Sequence, residues 1–359
     1  YRKRGAIMSL LTDEISAELN SGKLPDLDTV FTSATLSGKR RGQIIIRDAK
    51  FYLSERPPIE YIVDKFIAEK SLSVWFGQFG AKKTWAALDL AVCAAVGKPW
   101  LGMDTKHCNV LIIDEESGDA RLANRIRDTM RGELGQGANE NVPITSVSYA
   151  GFDLLKNLDD VFLLRELIMA MDAKLVIIDS LMQMMKGGDE NAVNETAPVL
   201  ANLRTIAERT GAAIIALHHA NKMGGYRGSS AIAGSVDNLF RIESTQGEGL
   251  IKFKAEKMRD TEPFDFAGAA CWDESGFYMV QSEDTERAFL SKSQRFALDF
   301  FTEHGDGTLN QLSDYAGELY ANDTLKKAVQ SLINEKLLER KDEGGRRVEA
   351  TYGVKGANG

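Results

Sequence analysis

The chain has 359 residues, a formal net charge of −8, 43% apolar residues and 27% charged residues. This length and composition allow one large or two smaller globular domains with a sizeable core. The acidic balance excludes a uniformly basic surface, so any contact with nucleic acid has to come from local patches or a lined channel.

Cysteine usage and hydropathy predict a cytoplasmic protein without a membrane partner. Cys93, Cys108 and Cys271 lie far apart, without the spacing of a metal site or a disulfide framework, and we interpret them as reduced thiols. The best apolar run, "AALDLAVCAAVG", is too short for a membrane span and contains Asp89. The basic start "YRKRGAIMSLL" lacks a signal-peptide core and cleavage site.

The first 58 residues are predicted to be a linker or arm. "SLLTDEISAELN" has the pattern of a short amphipathic helix. A polar linker then leads to the predicted strand "QIIIRDA".

Residues 59–285 predict an α/β domain. Apolar strand-like runs alternate with helical segments, the pattern of a mostly parallel sheet flanked by helices. The predicted strands are "SLSVWFG", "NVLIIDEE", "ITSVSYAG", "AKLVIIDS", "AAIIALHH", "NLFRIEST", "LIKFKAEK" and "GFYMVQS". The predicted helices are "KTWAALDLAVCAAVG", "GDARLANRIRDTMRGEL", "LDDVFLLRELIMAMD" and "ETAPVLANLRTIAERTG". Because the last strands have short connections, the far edge of the sheet is predicted to turn antiparallel.

Residues 290–359 predict a winged-helix-like domain. "SQRFALDFFTEHG", "TLNQLSDYAG" and "NDTLKKAVQSLINEKLLERK" have helical patterns, and Asn322 or Asp323 would cap the third helix. "LLERKDEGGRRVEATYGV" predicts two short strands around a Gly-Gly turn.

The third helix and the wing carry basic side chains that could meet a nucleic-acid backbone. These are Lys326, Lys327, Arg346 and Arg347. The alternative is a packing or oligomerisation module with a solvated charged face, and the sequence alone does not separate the two.

The segment "GQFGAKKT", residues 77–84, predicts a nucleotide site because it follows a strand and opens a helix in nearly the pattern G-x-x-x-x-G-K-[ST]. Unpaired backbone N–H groups at a helix N-terminus attract phosphate. Lys83 would reach the β and γ phosphates of ATP, and the Thr84 hydroxyl would hold Mg²⁺. Lys82 replaces the second glycine, and we predict a residue that enters the helix with its side chain outward. The predicted nucleotide-binding residues are Gly77, Gly80, Ala81, Lys82, Lys83, Thr84 and Trp85.

Carboxylates end two other predicted strands. Asp179 ends "AKLVIID", where a carboxylate would hold Mg²⁺, although a turn cap is the alternative. Asp114, Glu115 and Glu116 end "NVLIIDEE" and would repel one another unless a cation, water or base lies nearby. One of the three suits a general base that orients an attacking water; a solvated acidic turn is the alternative.

Two histidines, His218 and His219, end "AAIIALHH". Because neighbours along a strand point to opposite faces, only one of them can face the γ phosphate as a sensor. A core histidine is the alternative.

Taken together, these motifs resemble the RecA-like core of hexameric replicative helicases. The quoted segments are "GQFGAKKTWAALDLAVCAAVGKPWLG", "VLIIDEESGDARLANRI", "LVIIDSL", "IIALHHANK", "YRGSSAIAGSVDNLFRIE" and "KAEKMRD". The resemblance is to RepA-type plasmid helicases and to the helicase part of phage and mobile-element primase-helicases, and it covers roughly residues 59–282. It implies that the domain of residues 59–285 is a RecA-like ATPase domain.

The resemblance implies roles for single residues. Asp179 matches the Walker B carboxylate, and His219 matches the phosphate sensor. Glu116 matches the catalytic glutamate better than Glu115, since Arg125 then falls at the family's spacing.

The resemblance also implies residues that act on a neighbouring subunit. Arg227 of "RGSS" is similar to the residue that reaches the neighbour's nucleotide in the plasmid enzymes. Lys257 and Arg259 match the K-x-R strand end that does so in the replicative and phage relatives. A cation supplied in this way stabilises charge on the transferring phosphoryl group. Activity is therefore expected to depend on a closed homo-oligomer, a hexameric ring.

Two loops, "MKGGDENAVN" and "NKMGGYRG", are predicted to line the channel of that ring. Lys186 and Lys222 could contact phosphates of single-stranded DNA without reading sequence. Loop flexibility explains the glycines equally well. A primase or an initiator protein is a further expected partner.

The leading hypothesis is an ATP-driven, Mg²⁺-dependent helicase or translocase on single-stranded DNA, serving replication of a plasmid, phage or mobile element. A second is a nucleotide-switched DNA-binding or loader protein that hydrolyses ATP slowly. A recombinase-like filament ATPase is a third. Glu116, His219 and the trans-acting candidates favour the first, because a pure binder does not use them.

Overall fold

We analysed a computed structural model of the chain. It describes residues 58–135, 141–188, 192–220, 231–244, 249–282, 285–342 and 349–355, together with positions 49, 53 and 54. The chain divides into two units, Tyr1–Pro58 and Ile59–Gly359. Nearly all of the predicted arm lies outside the described residues, so the fold below is that of the second unit.

The described chain begins with a short antiparallel pair that was not predicted, β1 (Tyr61–Val63) and β2 (Ile67–Ala68). Six parallel strands follow: β3 (Leu72–Gly77), β4 (Asn109–Asp114), β5 (Ile144–Ser148), β6 (Ala173–Asp179), β7 (Ala213–His219) and β8 (Asn238–Ser244). They are connected through α1 (Lys83–Val96), α2 (Asp119–Leu134), α3 (Leu158–Ala170), α4 (Val193–Thr210) and the short α5 (Ala231–Ser235). This is the RecA-like, mostly parallel sheet flanked by helices that the sequence predicted. Among the described residues, no helix is both long and apolar enough to cross a bilayer.

The sheet has nine strands in the order β11-β10-β9-β8-β3-β7-β6-β4-β5. The last three in the chain, β9 (Leu250–Lys257), β10 (Phe266–Asp273) and β11 (Gly276–Gln281), are antiparallel. The predicted antiparallel edge is therefore present. The sequence did not predict β10, because its centre "AGAA" has low strand propensity. Pairing with a strand on each side holds it in the sheet instead.

Two hydrophobic layers cover the two faces of the sheet, because alternate strand residues point to opposite sides. Trp75 belongs to the layer under α1, where Phe66 and Phe253 join it. Val74 and Phe76 belong to the other layer, which α3 and α4 cover. The central strand β3 is buried along its whole length, and its carboxyl end therefore has a fixed position.

The strand register brings the predicted site residues to one edge of the sheet. Gly77 at the end of β3 lies opposite His219 at the end of β7. Asp114 at the end of β4 lies opposite Asp179 at the end of β6. The carboxyl ends of parallel strands form the ligand-binding edge of open α/β sheets, so the loops that follow them meet there.

The C-terminal part contains the predicted three helices and two strands. Its elements are α6 (Thr285–Phe289), α7 (Lys292–His304), β12 (Gly307–Thr308), α8 (Leu309–Ala316), α9 (Asn322–Asn334), β13 (Leu338–Asp342) and β14 (Thr351–Val354). The strands form a small antiparallel sheet in the order β12-β14-β13, and the helices pack around Phe301, Leu312 and Leu332. The predicted Gly-Gly turn lies outside the described residues.

One helix cap differs from the prediction. The position before α9 is Ala321, which makes no side-chain cap, so the expectation that Asn322 or Asp323 caps this helix was wrong. Asn322 instead hydrogen-bonds Ser313 of α8. The other two helices of this part carry capping boxes at Ser291 and Thr308, which satisfy the first backbone N–H groups.

A buried carboxyl group lies in the middle of α1. Asp89 is fully buried and accepts hydrogen bonds from Trp100 Nε1 at 2.9 Å and from the Met279 amide at 3.1 Å. Burial raises the pKa of Asp89 from 3.8 to about 9, and the neighbouring Glu133 acts in the same direction. Glu133 in turn pairs with Lys98. Asp89 is therefore protonated in the folded protein at neutral pH.

This protonation predicts that stability falls as pH rises. Between pH about 4 and pH about 9 the unfolded chain has released the Asp89 proton while the folded chain keeps it, so raising pH favours unfolding. Asp89→Asn replaces the neutral acid by a neutral amide of nearly the same shape. We expect the variant to lose less stability than the wild type between pH 6 and pH 8.5 in urea unfolding. Asp128→Asn on the exposed face of α2 is the control, and equal slopes in all three proteins would contradict the prediction.

Candidate functional site

The predicted phosphate loop connects β3 to α1. An added Cβ at Gly77 would lie 2.3 Å from the backbone oxygen of Ile242, and Gly80 has a φ of +78°. Both positions therefore require glycine. Ala81 is buried, and α1 begins directly at Lys83.

Lys82 has a left-handed backbone, with φ 62° and ψ 26°. This corrects the prediction of a residue that enters the helix, and it explains why glycine is usual here, since the left-handed region costs other residues about 1 kcal/mol. The Lys82 ammonium lies 4.8 Å from the centre of the Trp272 ring, which is 48% exposed. A cation–π contact of this kind contributes about 0.5–1 kcal/mol. The two effects therefore nearly offset each other.

We expect Lys82→Gly to keep stability within about 1 kcal/mol of the wild type, because relief of the left-handed backbone offsets the lost cation–π contact. Lys82→Ala loses the contact without the relief and is expected to be the less stable variant. Urea unfolding of the three proteins measures this order. If Lys82→Gly is less stable than Lys82→Ala, the backbone account is wrong.

The Lys83 side chain points back over the loop. Its Nζ donates to the carbonyl oxygens of Gly77 at 3.0 Å and Gln78 at 3.2 Å. Burial lowers the pKa of Lys83, while the carboxylates of Asp179 and Glu116 oppose that change. The loop therefore holds an ammonium group beside its unpaired amides, where a phosphate would neutralise it.

The Thr84 hydroxyl donates to Asp179 Oδ2 at 2.6 Å, across 95 residues of chain. Burial raises the pKa of Asp179 to about 6, and repulsion from Glu116 and Asp114 adds to the effect. A hydroxyl and a carboxylate with little compensating positive charge are ligands that suit Mg²⁺. These two residues would hold the ion, and its charge would stabilise the phosphates.

The three carboxylates after β4 have different partners. Asp114 accepts the backbone N–H groups of Ser117 and Gly118 at 2.8–3.1 Å and so shapes the turn before α2. Glu115 accepts the amide of Gly151 at 2.9 Å. Glu116 has a side chain that is 40% exposed, and it is the one of the three that contacts a predicted site residue.

That contact is with His219, whose Nε2 lies 3.4 Å from Glu116 Oε2. The interaction with His219 lowers the pKa of Glu116; Ser180 and the Lys83 ammonium act in the same direction, and partial burial opposes them. The imidazole also stacks on the Phe79 ring, with centroids 4.2 Å apart. His218 is buried beside it in β7. The geometry therefore brings together Glu116 and His219.

Trp85 contributes to an aromatic wall beside the loop. Its ring packs on Phe277 at 4.8 Å and on Trp272 at 5.9 Å. The Arg125 guanidinium lies 5.8 Å from the same ring and donates to Ser117 Oγ at 2.9 Å. The Trp85 side chain thus anchors α1 and α2 to the antiparallel edge.

The trans-acting candidates Lys257 and Arg259 have partners within their own chain. Arg259 pairs with Asp237 at 3.0 Å, and Arg204 pairs with the same buried carboxylate. Lys257 donates to the carbonyl oxygens of Ala233 and Val236 at 2.7 Å.

These two residues lie away from the phosphate loop. The Asp237 backbone N–H donates to the carbonyl of Leu72 at the start of β3, whereas the loop follows the end of β3 at Gly77. At about 3.3 Å per residue the two ends are ~16 Å apart. Arg259 therefore does not reach the nucleotide of its own chain.

The predicted DNA contacts are described only in part. Lys186 donates to the carbonyl of Gly151, and Lys326 and Lys327 are exposed on α9. The remaining candidates lie outside the described residues: Lys222, Arg227, Arg346 and Arg347.

Sequence reasoning missed three residues of this region. Phe79, an apolar residue inside a polar loop, was a signal that could have been followed. Trp272 and Asp237 gave no signal, since their partners are far away in the chain.

The fold and the site define a class, a P-loop ATPase domain. The AAA domain family matches residues 40–225, just over half of the chain. The chain therefore belongs to the AAA domain family.

Among solved structures, one ATPase domain is similar to this chain, with a TM-score of 0.47 and 13% identity. The similarity covers 58% of this chain and 85% of that chain. No curated protein matches the sequence at a significant level.

Proposed function

We propose that this protein is an ATP-driven, Mg²⁺-dependent motor on single-stranded DNA, a helicase or translocase that acts as a hexameric ring. The observation that carries the ATPase part is the meeting of Thr84 with Asp179 at 2.6 Å, beside the loop lysine Lys83. Glu116 serves as general base for the attacking water, and His219 as phosphate sensor.

The ring part rests on Lys257 and Arg259. Arg259 lies ~16 Å from its own loop and can serve only the nucleotide of a neighbouring subunit. Arg227 is a further candidate for this role. A cation supplied in trans makes hydrolysis depend on assembly.

The DNA part rests on local basic side chains, because the whole chain carries a net charge of −8. Lys186 and Lys222 would contact backbone phosphates in the channel, and the C-terminal helices would add Lys326 and Lys327, with Arg346 and Arg347 on the wing. Isolated subunits should then bind DNA weakly and lose it in salt, with affinity arising from the ring. The expected biological setting is replication of a plasmid, phage or mobile element, with a primase or initiator as partner.

The test is ATP hydrolysis by the purified protein with and without single-stranded DNA, over a range of protein concentrations. Stimulation by DNA and a specific activity that rises with protein concentration are the expected results. A rate that ignores both DNA and concentration would contradict the ring motor.

A second candidate is a nucleotide-switched DNA-binding or loader protein with slow hydrolysis. The contact between Glu116 and His219 favours it, because a base that is already paired is less available to water. ATP binding without DNA-stimulated turnover in the same experiment would select this alternative.

A further inference from the structure

Phe79 is an apolar side chain in an unexpected place. It lies in the phosphate loop between β3 and α1, and 69% of its surface is exposed. One face of its ring stacks on the imidazole of His219, with an interplanar angle of 26°. The ring therefore links the loop to the end of β7, two elements that do not follow each other in the chain.

The imidazole of His219 has little else to hold its orientation. Its Nε2 faces Glu116 at 3.4 Å, and its buried Nδ1 has no hydrogen-bond partner among the described residues. A ring with one long polar contact keeps its side-chain angle only if a neighbour packs against its face. Phe79 is that neighbour, so it also fixes the contact between His219 and Glu116.

The segment that carries Phe79 is tied to Lys83. The Lys83 ammonium donates to the carbonyl oxygens of Gly77 and Gln78, and Gln78 directly precedes Phe79. A bound phosphate would compete for that ammonium. The two carbonyls would then lose their donor, and the backbone next to Phe79 would be free to shift.

We propose that Phe79 is a positioning residue that holds His219 against Glu116 while the loop is empty and releases the pair when Lys83 turns to a phosphate. This inference rests on the proposed ATPase function. It makes the loop itself the part of the molecule that restrains the general base until nucleotide is present.

The first test is a proton NMR spectrum of the histidine side chains in the nucleotide-free chain, which has four histidines. A stacked phenyl ring shields the imidazole, so the His219 Hε1 signal should lie upfield in the wild type and in Phe79→Tyr. It should move downfield in Phe79→Leu and on addition of a Mg²⁺ complex of a non-hydrolysable ATP analogue. Phe162→Leu, which removes an exposed ring on α3, should leave the signal in place.

The second test is turnover. Phe79→Leu is expected to raise kcat without DNA by about two- to tenfold, the factor that corresponds to one lost aromatic stack, with KM close to the wild type. Phe79→Tyr should restore the wild-type rate. An unchanged rate in Phe79→Leu would overturn the restraint.

The two levels of the proposal fail in different ways. A His219 signal that is the same in the wild type and in Phe79→Leu would overturn the Phe79 assignment and leave the ATPase proposal standing. An upfield His219 signal in a protein that binds no nucleotide would overturn the ATPase proposal and, with it, the release. A signal that stays upfield with the analogue bound would overturn the release alone.

Discussion

Glu116→Gln is expected to lower the rate of ATP hydrolysis by about 10²–10⁴-fold while leaving nucleotide binding nearly unchanged. Glutamine has almost the shape of glutamate, and its oxygen can still face His219 Nε2, which lies 3.4 Å from the native carboxylate. It cannot take a proton from the attacking water. The measurement is single-turnover hydrolysis together with binding of a fluorescent ATP analogue.

The matched control is the neighbouring Glu115→Gln. Glu115 accepts the Gly151 amide, and glutamine can still accept that bond, so hydrolysis should remain near the wild-type rate. The structure thus predicts opposite outcomes for the same change at adjacent positions. If Glu115→Gln is the slow variant, the assignment of the general base is wrong.

Lys83→Ala is expected to lower kcat/KM for ATP by at least about 10²–10³-fold, the effect of removing one preorganised charged donor. The wild-type ammonium lies over the loop, donating to Gly77 and Gln78, and it is the described cation nearest the place where phosphates would sit. Alanine leaves the loop amides but removes that charge. Steady-state kinetics and calorimetric binding of ATP measure the loss.

The stability of the nucleotide-free Lys83→Ala protein separates this account from unfolding. Burial already lowers the pKa of Lys83, which means that its charged form is costly in the empty site. The variant should therefore unfold at a urea concentration no lower than the wild type. A variant that loses ATP binding only because it loses its fold would contradict the assigned role, and Lys82→Gly, one position away, should keep both fold and binding.

Electrostatics give one reason why these residues need a ligand. Asp179 and Glu116 act on one buried ammonium, that of Lys83, while burial and mutual repulsion raise the pKa of Asp179 to about 6. A cation bound to phosphate meets both needs, since it neutralises the carboxylate while the phosphate neutralises the lysine. The empty arrangement is consistent with a site adapted to a bound Mg²⁺ nucleotide.

Much of this protein follows from local sequence. The apolar runs that form β3, β4, β6 and β7 are continuous because both faces of these strands are buried, and the residues at their ends can be read directly. The same runs predicted the parallel sheet, the helices between its strands and the loop "GQFGAKKT". The C-terminal helices followed from their 3.6-residue periodicity, although one cap did not.

Only the tertiary structure decided which polar residues meet. Nothing local in the sequence places Thr84 on Asp179, since the 95 residues between them are brought together by the order of strands in the sheet. The same holds for Glu116, which differs from Glu115 and Asp114 only in the direction its side chain takes after the strand ends. The left-handed backbone of Lys82 and its contact with Trp272 depend on an edge strand that the sequence did not predict. Strand ends are set by local apolar patterns, whereas side-chain partners are set by long-range packing, and the chemistry of this site belongs to the second.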